Sequence, residues 1–181
     1  RGHFSQSIMK FDNALKLTID MARSAYQNEE GIVGVPTGLT DLDSRLGGLH
    51  KQDLVIIAGR PAMGKTALAT NIAFNAAQNI MNRQEKSSVA FFSLEMSSEQ
   101  LATRILAEQT KISGDKMRKA ELNKNDFNKI AKTSSELENL NLIIDDNPVL
   151  TIPILRARAR RLKRLHDINL IIIDYLQLMS S

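Results

Sequence analysis

The sequence predicts an α/β fold, a mostly parallel sheet covered by helices on both faces. Three observations point to it. Short apolar runs alternate along most of the chain with longer segments whose apolar residues recur every three or four positions. The runs are apolar throughout, as in strands buried on both faces, rather than alternating apolar with polar. The first run, DLVIIAG, feeds into a glycine-bearing loop and then a helical pattern, so strand, loop and helix follow one another directly.

Residues 8–28 place Ile8, Phe11, Leu15, Ile19, Ala22 and Tyr26 at steps of three and four. That is an amphipathic helix of about 30 Å. Its polar tail, QNEEG, leads into GIVGVPTG, a stretch that reads as a linker. The chain thus divides into a helix with linker, 1–34, and a domain, 35–181. The apolar stripe of the helix must be covered, either by its own domain or by a neighbouring subunit. Next, Thr40 can cap a short helix, DLDSRL, which Gly47 and Gly48 end. DLVIIAG is a short buried strand, and a helix runs from Lys65 to about Asn82. SVAFFS is a strand, and SSEQLATRILAEQ a helix with Ser97 and Gln100 at capping-box spacing. NDFNKIAKTSSELEN is another helix and NLIID another strand. TIPILRARARRLKRL is a helix with Thr151 as its cap, and NLIIID a final strand. There is no internal repeat and no low-complexity tract.

Composition narrows the function classes. With 181 residues and 43% hydrophobic content the chain can bury one ordinary core. No run approaches the roughly 18 apolar residues of a membrane span, so no membrane role is expected. Cysteine is absent, and His3, His50 and His166 are too scattered for a zinc site. The start, RGHFSQSIMK, has no initiator methionine and no signal-peptide core, and it reads as part of a longer, cytoplasmic protein. The net charge of +4 is concentrated in Arg156, Arg158, Arg160, Arg161, Lys163 and Arg164; without those six the balance would be negative. The basic face of that helix is either solvated and ion-paired between subunits or in contact with DNA phosphates. Two tyrosines and no tryptophan leave little for base stacking.

The chemistry lies where the first strand ends. Gly59-Arg60-Pro61-Ala62-Met63-Gly64-Lys65-Thr66 matches G-x-x-x-x-G-K-[ST]. Glycines let backbone N–H groups turn inward around phosphate oxygens, and the helix N-terminus adds partial positive charge. Lys65 reaches the β- and γ-phosphates and the Thr66 hydroxyl ligates Mg²⁺. Residues 59–66, with Ala67 in the first helical turn, form the nucleotide-binding set. In a parallel sheet all strands end at one edge, where ligands bind. Gly59, Glu95, Asp145 and Asp174 end the four strands in turn. Asp174 closes NLIIID, an apolar strand ending in an acid, and is assigned to Mg²⁺. Glu95 could cap the next helix, but Ser97 and Ser98 already supply a cap. It is therefore assigned, with Lys65, to catalysis, orienting and deprotonating the attacking water. Asp145 and Asp146 precede NPVLT and are read as turn residues.

GVPTGLTDLD, GRPAMGKT, FFSLEMS and IIIDYLQLM, in that order, resemble the RecA-like ATPase domain of DnaB-type replicative DNA helicases. The resemblance spans nearly the whole chain, from about residue 8 to Ser181. It implies a RecA-like P-loop NTPase fold, ATP and Mg²⁺ as cofactors, Lys65 and Thr66 on phosphate and metal, Glu95 as catalytic base and Asp174 as the Walker B acid. It also implies a ring homohexamer docked through the first helix, translocation on single-stranded DNA with duplex unwinding at the replication fork, and primase and a helicase loader as primosome partners. The family's primase-contacting domain precedes this region. Its glutamine sensor, DNA-binding loops and arginine finger lie past Ser181. A RecA-like non-motor ATPase, a recombinase or nucleotide-gated assembly protein, is the alternative reading.

Overall fold

The computed structural model describes residues 10–27, 32–60, 62–119 and 121–175. Among them the helices are α1 (Phe11–Gln27), α2 (Thr40–Leu46), α3 (Lys65–Asn82), α4 (Ser98–Thr110), α5 (Gly114–Arg118), α6 (Lys124–Leu137) and α7 (Ile152–His166). The strands are β1 (Ser88–Ser93), β2 (Leu142–Asp145) and β3 (Ile168–Asp174), in the order β2-β1-β3 and all parallel.

All six residues of β1, SVAFFS, are buried because the strand has a neighbour on each edge and helices on each face. Val89 and Phe91 point into one layer, against Ala73, Ala76, Ala77 and Ile80 of α3 and Leu101 of α4. The three alanines are fully buried; their small side chains let α3 lie close on the strand. Ala90 and Phe92, with Leu94 just beyond the strand, point into the other layer, against Leu150 and Ile154, Leu155 and Leu162 of α7. A Phe buried this completely stabilises the fold by about 1.5–3 kcal/mol. One strand thus anchors both halves of the core.

Capping chemistry fixes the helix starts. The Ser97 hydroxyl accepts from Gln100 N while the Gln100 side chain accepts from Ser97 N, the predicted capping box. Thr151 accepts from Ile154 N in the same way at α7. At α2 the prediction fails by one residue. Thr40 is the first helical residue, and Leu39 sits at the cap with no side-chain bond. The buried Asp43 of the helix does not cap it but ties down the segment before it: its carboxylate takes bonds from Thr37 N (2.8 Å), Thr37 Oγ1 (2.8 Å) and Gly38 N (2.9 Å). Asn75 Nδ2 of α3 donates to Thr37 O at 3.0 Å and clasps this segment to the core. Gly38 is held there at φ 77°, where a Cβ would lie 2.3 Å from Asn75 Nδ2.

Two further expectations change. DLVIIAG is not a strand of the sheet: residues 53–60 carry no regular secondary structure and are exposed, with Leu54 84% and Ile56 69% accessible. An apolar run signals that a segment is built for burial but does not specify the edge it pairs with. Among the described residues nothing pairs with the outer edge of β3, so three strands, not four, reach the rim. The short α5 has no counterpart among the predicted elements. Ile8 lies outside the described residues, but Phe11, Leu15, Ile19 and Tyr26 of α1 are all exposed, Phe11 by 78% and Tyr26 by 93%. The described part of α1 therefore does not bury its stripe on its own domain. No described helix is long and apolar enough to cross a membrane.

Candidate nucleotide site

The glycine-bearing loop runs directly into α3. Gly64 occupies the N-cap position at φ 86° and offers no side-chain cap, so the first N–H groups of an 18-residue helix keep their donors for an outside acceptor. A Cβ at Gly64 would meet nothing within 4 Å, so the left-handed backbone rather than crowding selects glycine there. Ala62 is also left-handed, at φ 62°, and Met63 N donates to Arg60 O at 3.3 Å, which closes the turn. A cavity of about 450 Å³ opens against the loop, lined in part by Ile57, Gly59, Arg60, Met63, Lys65 and Leu68. Thr66 and Ala67 continue the first turn of α3, and the Thr66 carbonyl accepts from Thr70 Oγ1 at 2.7 Å. Pro61 lies outside the described residues.

Lys65 connects this loop to the sheet. Its stem passes over Gly59, whose Cβ, if built, would lie 3.5 Å from Lys65 Cγ. Its ammonium sits 4.7 Å from the centroid of the Tyr175 ring. Tyr175 follows Asp174, the last residue of β3, so loop and strand end meet.

Asp174 is 5% exposed, and its Oδ2 has no hydrogen-bond partner. Removing a carboxylate from water without a partner costs several kcal/mol, so a cation or its water shell is the natural complement. Parallel register places Ser93 of β1 beside Asp174, and Leu94 N donates to the Asp174 carbonyl at 2.8 Å. Ser93 Oγ accepts from Met96 N at 3.1 Å and turns the chain out of the strand. Glu95 stands in that turn, exposed, two residues beyond the strand end. It takes no part in capping α4. Besides the capping box, Ser98 N and Ser98 Oγ both donate to Asp146 Oδ2, at 2.8 and 2.9 Å. The bond from the Ser98 backbone N–H, then that from its hydroxyl, holds the Asp146 carboxyl below the usual aspartate value.

Asp145, at the end of β2, accepts from Asn147 N at 3.2 Å, the turn bond expected from the sequence. It also accepts from Arg158 Nη1 through both carboxylate oxygens at 3.0 Å, an ion pair that locks α7 to the strand end. Arg158 is thus taken from the basic helix, and Lys163 pairs with Asp167 at 2.5 Å. Arg160, Arg161 and Arg164 face outward. The structure therefore brings together Lys65, Tyr175 and Asp174, with Glu95 just past the same sheet end. Sequence reasoning missed Tyr175 and the two contacts made by Asp145 and Asp146. For Tyr175 the available signal was its place directly after the strand-ending acid.

Residues 34–181 match the family model described as DnaB-like helicase C terminal domain. The replicative DNA helicase DnaB of Rickettsia bellii (strain RML369-C) is 45% identical over 181 residues, covering 97% of this chain and 36% of the relative. The replicative DNA helicase DnaC of Bacillus subtilis (strain 168) is 37% identical over 177 residues, covering 98% of this chain and 38% of that protein. The chain thus spans little more than a third of these curated relatives. Among solved structures, one of an ATPase domain superposes with a TM-score of 0.83 at 31% identity, covering 94% of this chain and 58% of that one. A DnaB-like replicative helicase, described with its interactions with primase, gives 0.78 at 31% identity, covering 95% and 40%.

Proposed function

Because the chain belongs to the family of DnaB-like helicase C-terminal domains, we propose that it is the ATP-hydrolysing part of a replicative DNA helicase. One observation carries the site assignment: the loop lysine reaches the residue directly after a buried strand-end acid whose Oδ2 has no hydrogen-bond partner. Backbone N–H groups of the loop and of the first turn of α3 hold the phosphates, and Lys65 neutralises charge on the β- and γ-phosphates. Glu95 orients a water and takes its proton as the water oxygen bonds to the γ-phosphorus. The bond to the β–γ bridging oxygen breaks, leaving ADP and phosphate. The Thr66 hydroxyl and the Asp174 carboxylate, both hard oxygen donors, suit Mg²⁺ and would hold it directly or through water. Bound there, the metal would neutralise charge developing on the phosphate oxygens.

Residues 1–34 then act as a linker element and 35–181 as the ATPase domain. The exposed stripe of α1 supports docking onto an adjacent subunit in a ring homohexamer. Single-stranded DNA is the track, with primase and a loader as further partners in the cytoplasm. The relative solved with primase interactions supports the first of these partners.

Two measurements test the reading. A fluorescent ATP analogue should bind the chain and be lost from Lys65→Ala. A helicase-length polypeptide carrying this sequence should displace a strand from a forked duplex in an ATP-dependent way. ATP hydrolysis with strand exchange and no displacement would move the assignment to a RecA-like non-motor protein.

A further inference from the structure

We infer that Tyr175 is a positioning residue for Lys65, its ring face holding the lysine ammonium at the end of β3; the proposal rests on the nucleotide reading of the loop. Lysine carries a compact charge on a flexible stem, so placing it costs rotamer entropy. Here two contacts define its path. The stem passes over Gly59, and the ammonium lies 4.7 Å from the half-buried Tyr175 ring, inside the roughly 6 Å reach of a cation–π contact.

The kind of partner matters. A carboxylate could also hold Lys65, and Asp174 is the next residue along. An ion pair there would spend the charge that Lys65 brings to phosphate and occupy the oxygens suited to a metal. Among the described residues no ion pair joins Lys65 to Asp174, and Asp174 Oδ2 accepts no hydrogen bond, so the chain does not use that solution. A ring face attracts the cation without accepting a full hydrogen bond or a proton. The contact engages one side of the ammonium and leaves N–H donors on the other for phosphate oxygens, so it persists when phosphate is bound. Because the ring face does the work, phenylalanine should replace tyrosine.

The contact can be read without nucleotide. In the ¹³C-lysine-labelled chain, the Lys65 ε-protons should be shifted upfield by the ring; Lys65→Arg assigns the resonance. Tyr175→Phe should keep the shift. Tyr175→Leu, which preserves apolar bulk, should abolish it while the other lysine resonances and the circular dichroism stay in place. The affinity for a fluorescent ATP analogue should fall roughly 2- to 30-fold in Tyr175→Leu and return in Tyr175→Phe. An unshifted Lys65 in the wild-type chain, a shift that survives in Tyr175→Leu, or a lost shift with unchanged affinity would each overturn the proposal. If the wild type showed the shift but bound no analogue, the nucleotide reading would fail and the affinity role of Tyr175 with it, while the contact itself would stand.

Discussion

Replacing Glu95 by Gln separates chemistry from folding because of how α4 is held. A carboxylate just before a helix is ordinarily suspected of capping it, and removing a cap costs about 1 kcal/mol. In a domain of this size that would lower the melting temperature by roughly 2–4 °C. Here the Ser97–Gln100 box and the Asp146 bonds to Ser98 already satisfy the helix start, and Glu95 is exposed. Glu95→Gln should therefore change stability by less than about 0.5 kcal/mol, as surface substitutions generally do. Loss of a general base costs about 10² or more in turnover, equivalent to at least about 2.7 kcal/mol in the barrier. The assay is steady-state ATP hydrolysis in a helicase-length polypeptide carrying this sequence. ATP-analogue affinity and thermal denaturation are measured on the same samples. Ser97→Ala serves as the inverse control, with a lowered melting temperature and unaltered nucleotide affinity. Turnover of Glu95→Gln within a few-fold of wild type would refute the assignment of the base. A melting temperature lowered by several degrees would refute the account of the cap.

Charging the exposed stripe of α1 with Phe11→Asp and Leu15→Asp should dissociate rings, read as a fall in native mass with circular dichroism retained; an unfolded variant would place the stripe in the domain's own core. The 181-residue chain by itself should hydrolyse ATP slowly and show no stimulation by single-stranded DNA, because an arginine finger is worth about 10³ or more in rate and the basic cluster of this chain lies along helix α7 rather than in a loop; robust DNA-stimulated turnover would contradict this. Asp146→Ala should lower the melting temperature at neutral pH. Its carboxyl is depressed in the folded state, so the stabilisation is present above the ordinary aspartate value of about 3.9 and lost as the pH falls through the folded one. Thermal scans of the two proteins should accordingly converge in strong acid. Phe91→Ala, which opens the α3 layer, should destabilise by about 3–5 kcal/mol in denaturant unfolding.

What can be read from the sequence is what each segment decides within a few residues of itself. The capping box at Ser97, the Thr151 cap, the helix beginning at Lys65 and the wholly buried β1 each depend on neighbours three or four positions away or on burial alone. The loop is legible for the same reason, since its backbone shape is written into eight consecutive residues. What escapes depends on partners far along the chain. Asp145 reads as a turn acid, and its bond to Asn147 agrees, yet its second role depends on an arginine 13 positions later. Thr40 looks like a cap because hydroxyls often are; in the structure no side chain caps α2, and the buried Asp43 instead reaches backward to Thr37 and Gly38. Tyr175 meets Lys65 only because the sheet brings a strand end to the loop. The run at 54–57 carries a clear mark of burial and no information about which edge would supply it.

That run also bears on how the protein keeps in solution. Leu54, Val55, Ile56 and Ile57 form an uncharged, proline-free apolar tract that lies exposed and outside the sheet, in a molecule whose β3 edge is also unpaired among the described residues. Such tracts and such edges are the sites through which β-rich aggregates grow. The sequence places Asp53 on one side and Arg60 close to the other, charges of the kind that act as gatekeepers beside unavoidable sticky segments. Shelf life should then be set at this margin rather than at the well-packed centre. Turbidity should rise with concentration at temperatures far below those that melt β1, and an added charge within 54–57 should clear it.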